Sequence, residues 1–275
     1  MLNPVKDYPA LLYTKKQHKT LIIADLHLGW EFNLTQKGIH IPSQTTKILQ
    51  KLLEIIRLTS PKTLVILGDV KHTIAKAEPS EWKDVPEFFE ALRARIHDIQ
   101  IIRGNHDGNL EPLLPQNIVL HPSTGMILNS LGLFHGHTWP AKRLMNSSTL
   151  IMGHVHPTVS FRDAQGFQIT TPVWIKIKLS KGRFEAFSHL RSGKAGTFKP
   201  SDPQGEHFMK SRVKQLLIMP CFNDFLGGRA VNKKGEHKSY IGPVLRSEAT
   251  SIEKGEVYLL DGTYLGTVEQ LRNLS

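Results

Sequence analysis

Apolar residues along this chain arrive in short unbroken runs, and five of those runs break off at residues that bind metals. TLIIAD (20–25) ends at Asp25, with His27 two positions on, and TLVILGD (63–69) ends at Asp69. IQIIRGNHD (99–107) reaches Asn105 and His106, LGLFHGH (131–137) reaches His135, and TLIMGHVH (149–156) reaches His154 and His156. Apolar runs of this length predict strands covered on both faces, and in open α/β sheets ligands bind in the crevice past the carboxyl ends of such strands. The pattern therefore predicts a site at that edge.

Between the first runs the spacing changes from strand to helix. In residues 43–58 Ile48, Leu49, Leu52, Ile55 and Ile56 recur at helical spacing, with Ser43 as N-cap after Pro42 and Pro61 as the stop. A second helix is predicted over 80–96, with Trp82, Val85, Phe88, Phe89 and Leu92 on its apolar face and Pro86 tolerated near its start. The result is a β-α-β alternation, preceded by a hairpin that ALLY (10–13) makes with the first run. Farther along the pattern turns to sheet: IVLHP, GMILN and LGLFHGH as short strands, at most a short helix over 141–146, TVSF and FQIT around the turn RDAQG, VWIKIKL with one wet face, and FEAF (184–187). Residues 188–212 read as a long polar surface loop, and VYLLDGTYLG (257–266) as a closing hairpin about Asp261-Gly262. The tail is expected to complete the sheet, so residues 1–275 are read as a single domain with 171–275 as a basic C-terminal extension.

Composition narrows the class. With 40% hydrophobic and 21% charged residues the chain fits a soluble globular protein, and no apolar run approaches the roughly 20 residues of a membrane span. The first residues lack the basic-then-apolar layout of a signal peptide, and the one cysteine, Cys221, permits no internal disulfide; a cytoplasmic location is expected. Net charge is +11 and uneven: residues 1–170 hold 18 Lys and Arg against 14 Asp and Glu, and residues 171–275 hold 17 against 10. Such a surface attracts phosphate polyanions, and it suits a solvated basic face equally well.

Two features of spacing point to a pair of ions. Asp25 and His27 are two apart, so on extended chain both side chains leave one face and can grip a single ion. His154 and His156 share that spacing, about 6.6 Å at roughly 3.3 Å per residue, enough to serve ions roughly 3.5–4 Å apart. Asp69 is the carboxylate left to bridge them, and Asn105 and His135 add neutral donors. A set of Asp, Asn and His without cysteine argues against a structural zinc site and favours Mn first, with Fe, Zn or Ni as alternatives.

The ordered set D-x-H, G-D-x-x-H, G-N-H-D, H-G-H and G-H-x-H resembles the calcineurin-like metallophosphoesterase superfamily. His72, three residues past Asp69, resembles the branch that contains DNA double-strand-break repair nucleases. PCFNDFLGG (220–228) and YLLDGTYLG (258–266) resemble the tail of a prokaryotic group of predicted phosphoesterases related to those nucleases. The resemblance implies a four-layer α/β/β/α sandwich, two mixed sheets flanked by helices. It also implies one metal on Asp25, His27, Asp69 and His156 and a second on Asp69, Asn105, His135 and His154, with His137 left beside the site.

The expected reaction is phosphoester hydrolysis by attack of a metal-bridging hydroxide, with His106 protonating the leaving oxygen or stabilising the transition-state charge and His72 or Asp107 orienting it. Surplus positive charge and His72 favour a phosphodiester, DNA or RNA among them, over a phosphomonoester or a cyclic nucleotide. Arg143, Arg191, Lys194, Lys199, Arg229, Lys233 and Lys234 are candidates for backbone contacts. A binding module that has lost catalysis is the reading from another class.

Overall fold

The structure, a computed structural model, describes residues 1–74, 77–163, 165–179, 211–233, 242–247 and 250–274. The apolar runs become strands of two large sheets. The first sheet has six strands in the order β1 (Leu2–Pro4), β2 (Leu11–Lys15), β3 (His18–Ile23), β4 (Thr63–Ile66), β5 (Asp98–Ile102) and β6 (Val119–His121). From β3 to β6 neighbours are parallel, while β1, β2 and β3 form an antiparallel meander. The second sheet has seven, in the order β16 (Tyr264–Thr267), β15 (Glu256–Tyr258), β12 (Trp174–Lys178), β13 (Gln215–Ile218), β9 (Thr149–Met152), β8 (Leu131–Leu133) and β7 (Met126–Leu128). There β9 runs parallel to both β8 and β13, and the other pairs are antiparallel. A three-stranded sheet, β11 (Gln168–Pro172), β10 (Pro157–Arg162) and β14 (Arg229–Ala230), lies beside the end of β9.

Period-two alternation along these strands divides the core into layers. Leu21 and Ile23 of β3, Leu64 and Ile66 of β4, and Ile99 and Ile101 of β5 pack under helices, whereas Ile22, Val65 and Ile102 face the second sheet. On β9 the division is mirrored: Ile151 faces the first sheet, and Leu150 and Met152 point away, toward short helical turns. The four-layer sandwich implied by the motifs is the observed architecture. Its outer layers are α2 (Thr45–Thr59) and α3 (Pro79–Arg93) on one side, and α4 (Pro243–Arg246) and α5 (Val268–Asn273) on the other; a single turn, α1 (Phe32–Thr35), follows β3.

The helices fall close to their expected places, with three differences. Gln44 takes the N-cap of α2, and Ser43 instead accepts from the Thr45 N–H at 3.3 Å while its hydroxyl donates to Asp84. Ser60, in a left-handed conformation, and Pro61 end that helix. Trp82, expected on the apolar face of α3, is 52% exposed. Pro86 sits inside α3, and the helix is anchored instead by a capping box in which the Glu78 and Glu81 side chains satisfy each other's backbone donors. The FEAF strand and most of the 188–212 loop lie outside the described residues. Among the described residues no helix is long and apolar enough to cross a membrane.

Candidate metal centre

All five runs end at one edge of the sandwich, but the residues that matter lie past the strands, not on them. Asp25, His27, Asp69, His154 and His156 all have positive φ, from 43° to 73°. This corrects the extended-chain geometry expected for the D-x-H and H-x-H pairs: β3 stops at Ile23 and β9 at Met152, and tight left-handed turns carry these side chains. Left-handed non-glycine residues cost on the order of 1 kcal/mol each and persist where their surroundings over-determine them. Here the two loops of the first sheet are stitched together, Asp25 N donating to Gly68 O at 3.1 Å and His27 N to Asp69 O at 2.8 Å. The Asp25 carboxylate, fully buried, also accepts from the His154 N–H at 3.0 Å, which ties the β9 loop to the β3 loop. Glycines admit this crowding: a Cβ on Gly104 would collide with the Asp69 carboxylate.

The seven predicted ligands converge into two donor groups. Asp25, His27 and His156 form one, with His27 Nε2 3.3 Å from His156 Nε2 and His156 Nε2 3.5 Å from Asp25 Oδ1. Asp69, His135 and His154 form the other, joined by Asn105. His135 Nε2 lies 3.2 Å from Asp69 Oδ2, 3.1 Å from Asn105 Oδ1 and 3.1 Å from His154 Nδ1. Asp69 Oδ2 is also 3.5 Å from His27 Nε2, so a single oxygen stands between the groups. Its other oxygen is occupied, accepting from the His106 N–H at 2.9 Å.

Proton counting indicates what such a site suits. His135 donates its Nδ1–H to Leu67 O at 2.6 Å, which leaves Nε2 facing three further polar atoms, Asp69 Oδ2, Asn105 Oδ1 and His154 Nδ1. A proton on Nε2 can serve only one of them, whereas a divalent cation serves all at once, so the donor set fits metal ions. The electrostatics agree. Burial presses His135 downward, but Asp69 and Asp25 more than offset it and lift it to about 9. Burial lowers His27 to about 3 and, with His135 beside it, His154 to about 4, so both are neutral donors near pH 7. Burial works against the charge of Asp69, yet the surrounding histidines, His135 first, hold its carboxyl well below the usual range.

His72 and His106 stand against this cluster. His72 Nδ1 is 3.3 Å from His27 Nδ1, and its backbone carbonyl accepts from His106 Nδ1, which turns His106 Nε2 toward Asp69 Oδ2 at 4.0 Å. His72 thus orients His106 through its main chain. Asp107 does not reach it: the buried Asp107 carboxylate accepts from Val70 N and Gly104 N and braces the two loops. His137 packs beside the second donor group, 5.1 Å from the His135 ring, without a contact to either carboxylate. Two contributors were not expected from the sequence. Glu81, completely buried, accepts from the backbone N–H groups of His72 and Thr73 at 2.9 and 2.8 Å and so holds the His72 loop; its capping-box spacing from Glu78 was the available signal. Residues 221–223 bind the β3 loop, through Phe222 N to Ala24 O, Cys221 Sγ to Asp25 O and Asn223 Nδ2 to Leu26 O. The centre shares a cavity of about 610 Å³ with Gln168, Thr170, residues 227–230 and Lys233.

A two-sheet sandwich with Asp, Asn and His donors gathered at its strand ends defines a metallophosphoesterase fold. The chain belongs to the calcineurin-like phosphoesterase family, whose model matches residues 18–195. It is 28% identical over 117 residues to phosphodiesterase YfcE of Escherichia coli, a match covering 40% of this chain and 63% of YfcE, so the chain spans less than two thirds of that relative. The crystal structure of Pseudomonas putida nuclease MPE shares the fold, with a TM-score of 0.52 and 18% identity across 96% of this chain and 100% of that one.

Proposed function

We propose that this protein is a two-metal phosphodiesterase of the cytoplasm, acting on nucleic acid or nucleotide phosphodiesters. The observation that carries the reading is the sharing of Asp69 Oδ2 between two donor groups that together hold Asp25, His27, Asn105, His135, His154 and His156. Two divalent cations held there, Mn by the mixed donor set, would acidify water and offset the charge of the phosphoryl oxygens. The remaining steps fall to side chains. His106, with Nδ1 fixed on the His72 carbonyl, keeps Nε2 directed at the centre and donates a proton to the leaving oxygen. His72 is a positioning residue, bearing on His27 through its ring and on His106 through its carbonyl. The relatives named a phosphodiesterase and a nuclease support a diester over a monoester.

The test is metal analysis followed by turnover with added Mn on a panel of an aryl phosphodiester, an aryl phosphomonoester, cyclic nucleotides, single-stranded DNA, duplex DNA and RNA. Hydrolysis of diesters ahead of the monoester is the expected result. Full metal loading with no turnover of any ester would make this a binding module on the same fold.

A further inference from the structure

Of the seven cations that the sequence nominates for phosphate contacts, the described structure distributes three very differently. Arg143 lies away from the cavity, its guanidinium donating to Gly125 O at 2.9 Å. Arg229 and Lys233 both line the cavity that His27, Asp69, Asn105, His154 and His156 also line. The other four lie outside the described residues.

The placement of Arg229 is built in, not incidental. Its N–H donates to the carbonyl of ligand His156 at 3.0 Å, and β14 continues parallel to β10 with Arg229 opposite Pro157. Only glycine admits that approach, because a Cβ on Gly228 would run into the His156 carbonyl. Gly227, with nothing near its Cβ position, leaves the wall open on the cavity side. Arg272 of α5 donates to Val231 O at 2.8 Å, and Asn232 exchanges hydrogen bonds with the Ser160 backbone, so the turn leading to Lys233 is held at both ends. Among the described lining residues Asp69, already a ligand, is the one carboxylate. This wall is therefore made of Arg229, Lys233, backbone and the polar residues Gln168 and Thr170.

We infer that Arg229 and Lys233 form a phosphate subsite next to the scissile position, built for the neighbouring backbone phosphates of a single polynucleotide strand. The inference rests on the proposed phosphodiesterase activity. A cyclic nucleotide or aryl ester carries one phosphate, which the metals neutralise, and leaves these two cations without a substrate charge to meet; a strand supplies further phosphates at regular spacing.

The experiment compares wild type with the double variant Arg229→Gln, Lys233→Gln, both loaded with Mn. Fluorescence anisotropy with a labelled phosphorothioate-linked oligodeoxynucleotide reads binding without turnover. The variant should bind about tenfold more weakly at moderate salt, and the slope of log affinity against log salt should flatten by about 1.4, at roughly 0.7 per lost single-strand contact. KM for a hydrolysable oligonucleotide should rise by a similar factor with kcat nearly unchanged, while the aryl phosphodiester is turned over as by wild type. Unchanged oligonucleotide binding, or equal losses on both substrates, would overturn the subsite. The charge-keeping pair Arg229→Lys, Lys233→Arg should retain most binding; if it behaves like the Gln variant, the effect is structural and the inference also fails. A wild type that binds the oligonucleotide but hydrolyses no ester would remove the activity and leave the subsite standing.

Discussion

His106 is the residue whose surroundings best separate a catalytic from a structural role. Its N–H is spent on Asp69 and its Nδ1 on the His72 carbonyl, which leaves Nε2 the one atom for chemistry. Replacing it with Ala removes none of the seven expected ligands and leaves His27 and His72 of a third donor group, which His106 completes. His106→Ala should therefore lower kcat by about 10²–10⁴, the range of a lost general acid, while metal content by elemental analysis stays that of wild type. Loss of the metals together with activity would refute the assignment. The sequence made His106 visible as the neighbour of Asn105, but not the partner that fixes its ring, because a backbone carbonyl leaves no trace in residue type.

The elements around the site act as clamps on strained loops. The segment after β13 exemplifies this: Asn223 is buried, donates to Leu26 O at 2.8 Å and accepts from Phe225 N at 3.0 Å. It thereby joins the C-terminal part of the chain to the loop that carries Asp25 and His27. Asn223→Ala would leave a buried carbonyl and an amide unpaired, at about 1–3 kcal/mol. Chemical denaturation should register that loss, and titration should show weaker metal binding, since the loop it releases holds two ligands. Strand and helix periodicity predicted β3, β4, β5, β9, α2 and α3 well, because burial on both faces or on one stripe dictates the pattern. It misplaced the ligand pairs on extended chain. A left-handed turn is stabilised by contacts from the next loop, here Gly68 and Asp69 carbonyls, and those arise only when the strands are paired.

For the whole molecule, folding and metal uptake are linked through protons. Without metal His135 holds its proton up to about 9, while His27 and His154, near 3 and 4, are already neutral at pH 7. A cation must therefore displace a proton from His135, so affinity weakens by about tenfold for each pH unit below 9 from this group alone and levels off above it. His156, which burial would lower but Cys221 and Asp25 raise, pushes in the same direction. The rise in melting temperature on adding Mn, measured at fixed concentration, should shrink as pH falls from 8 to 6, each tenfold loss of affinity removing about 1.4 kcal/mol of stabilisation. A rise independent of pH would mean that His135 is not displaced of its proton.

What the chain's order of residues determined by itself was the set of buried strands, the two long helices and which Asp, Asn and His side chains are the candidate metal donors, since hydrophobic burial and donor chemistry are written in residue type and spacing. Tertiary structure alone decided that Asp69 Oδ2 stands between both donor groups, that Glu81 and Asn223 hold the loops of the donor groups, and that Arg229 and Lys233 line the cavity at the centre while Arg143 does not. Those outcomes depend on which loop ends meet when the two sheets stack, and side chains more than a hundred residues apart, such as His27 and His156, acquire a common geometry only then.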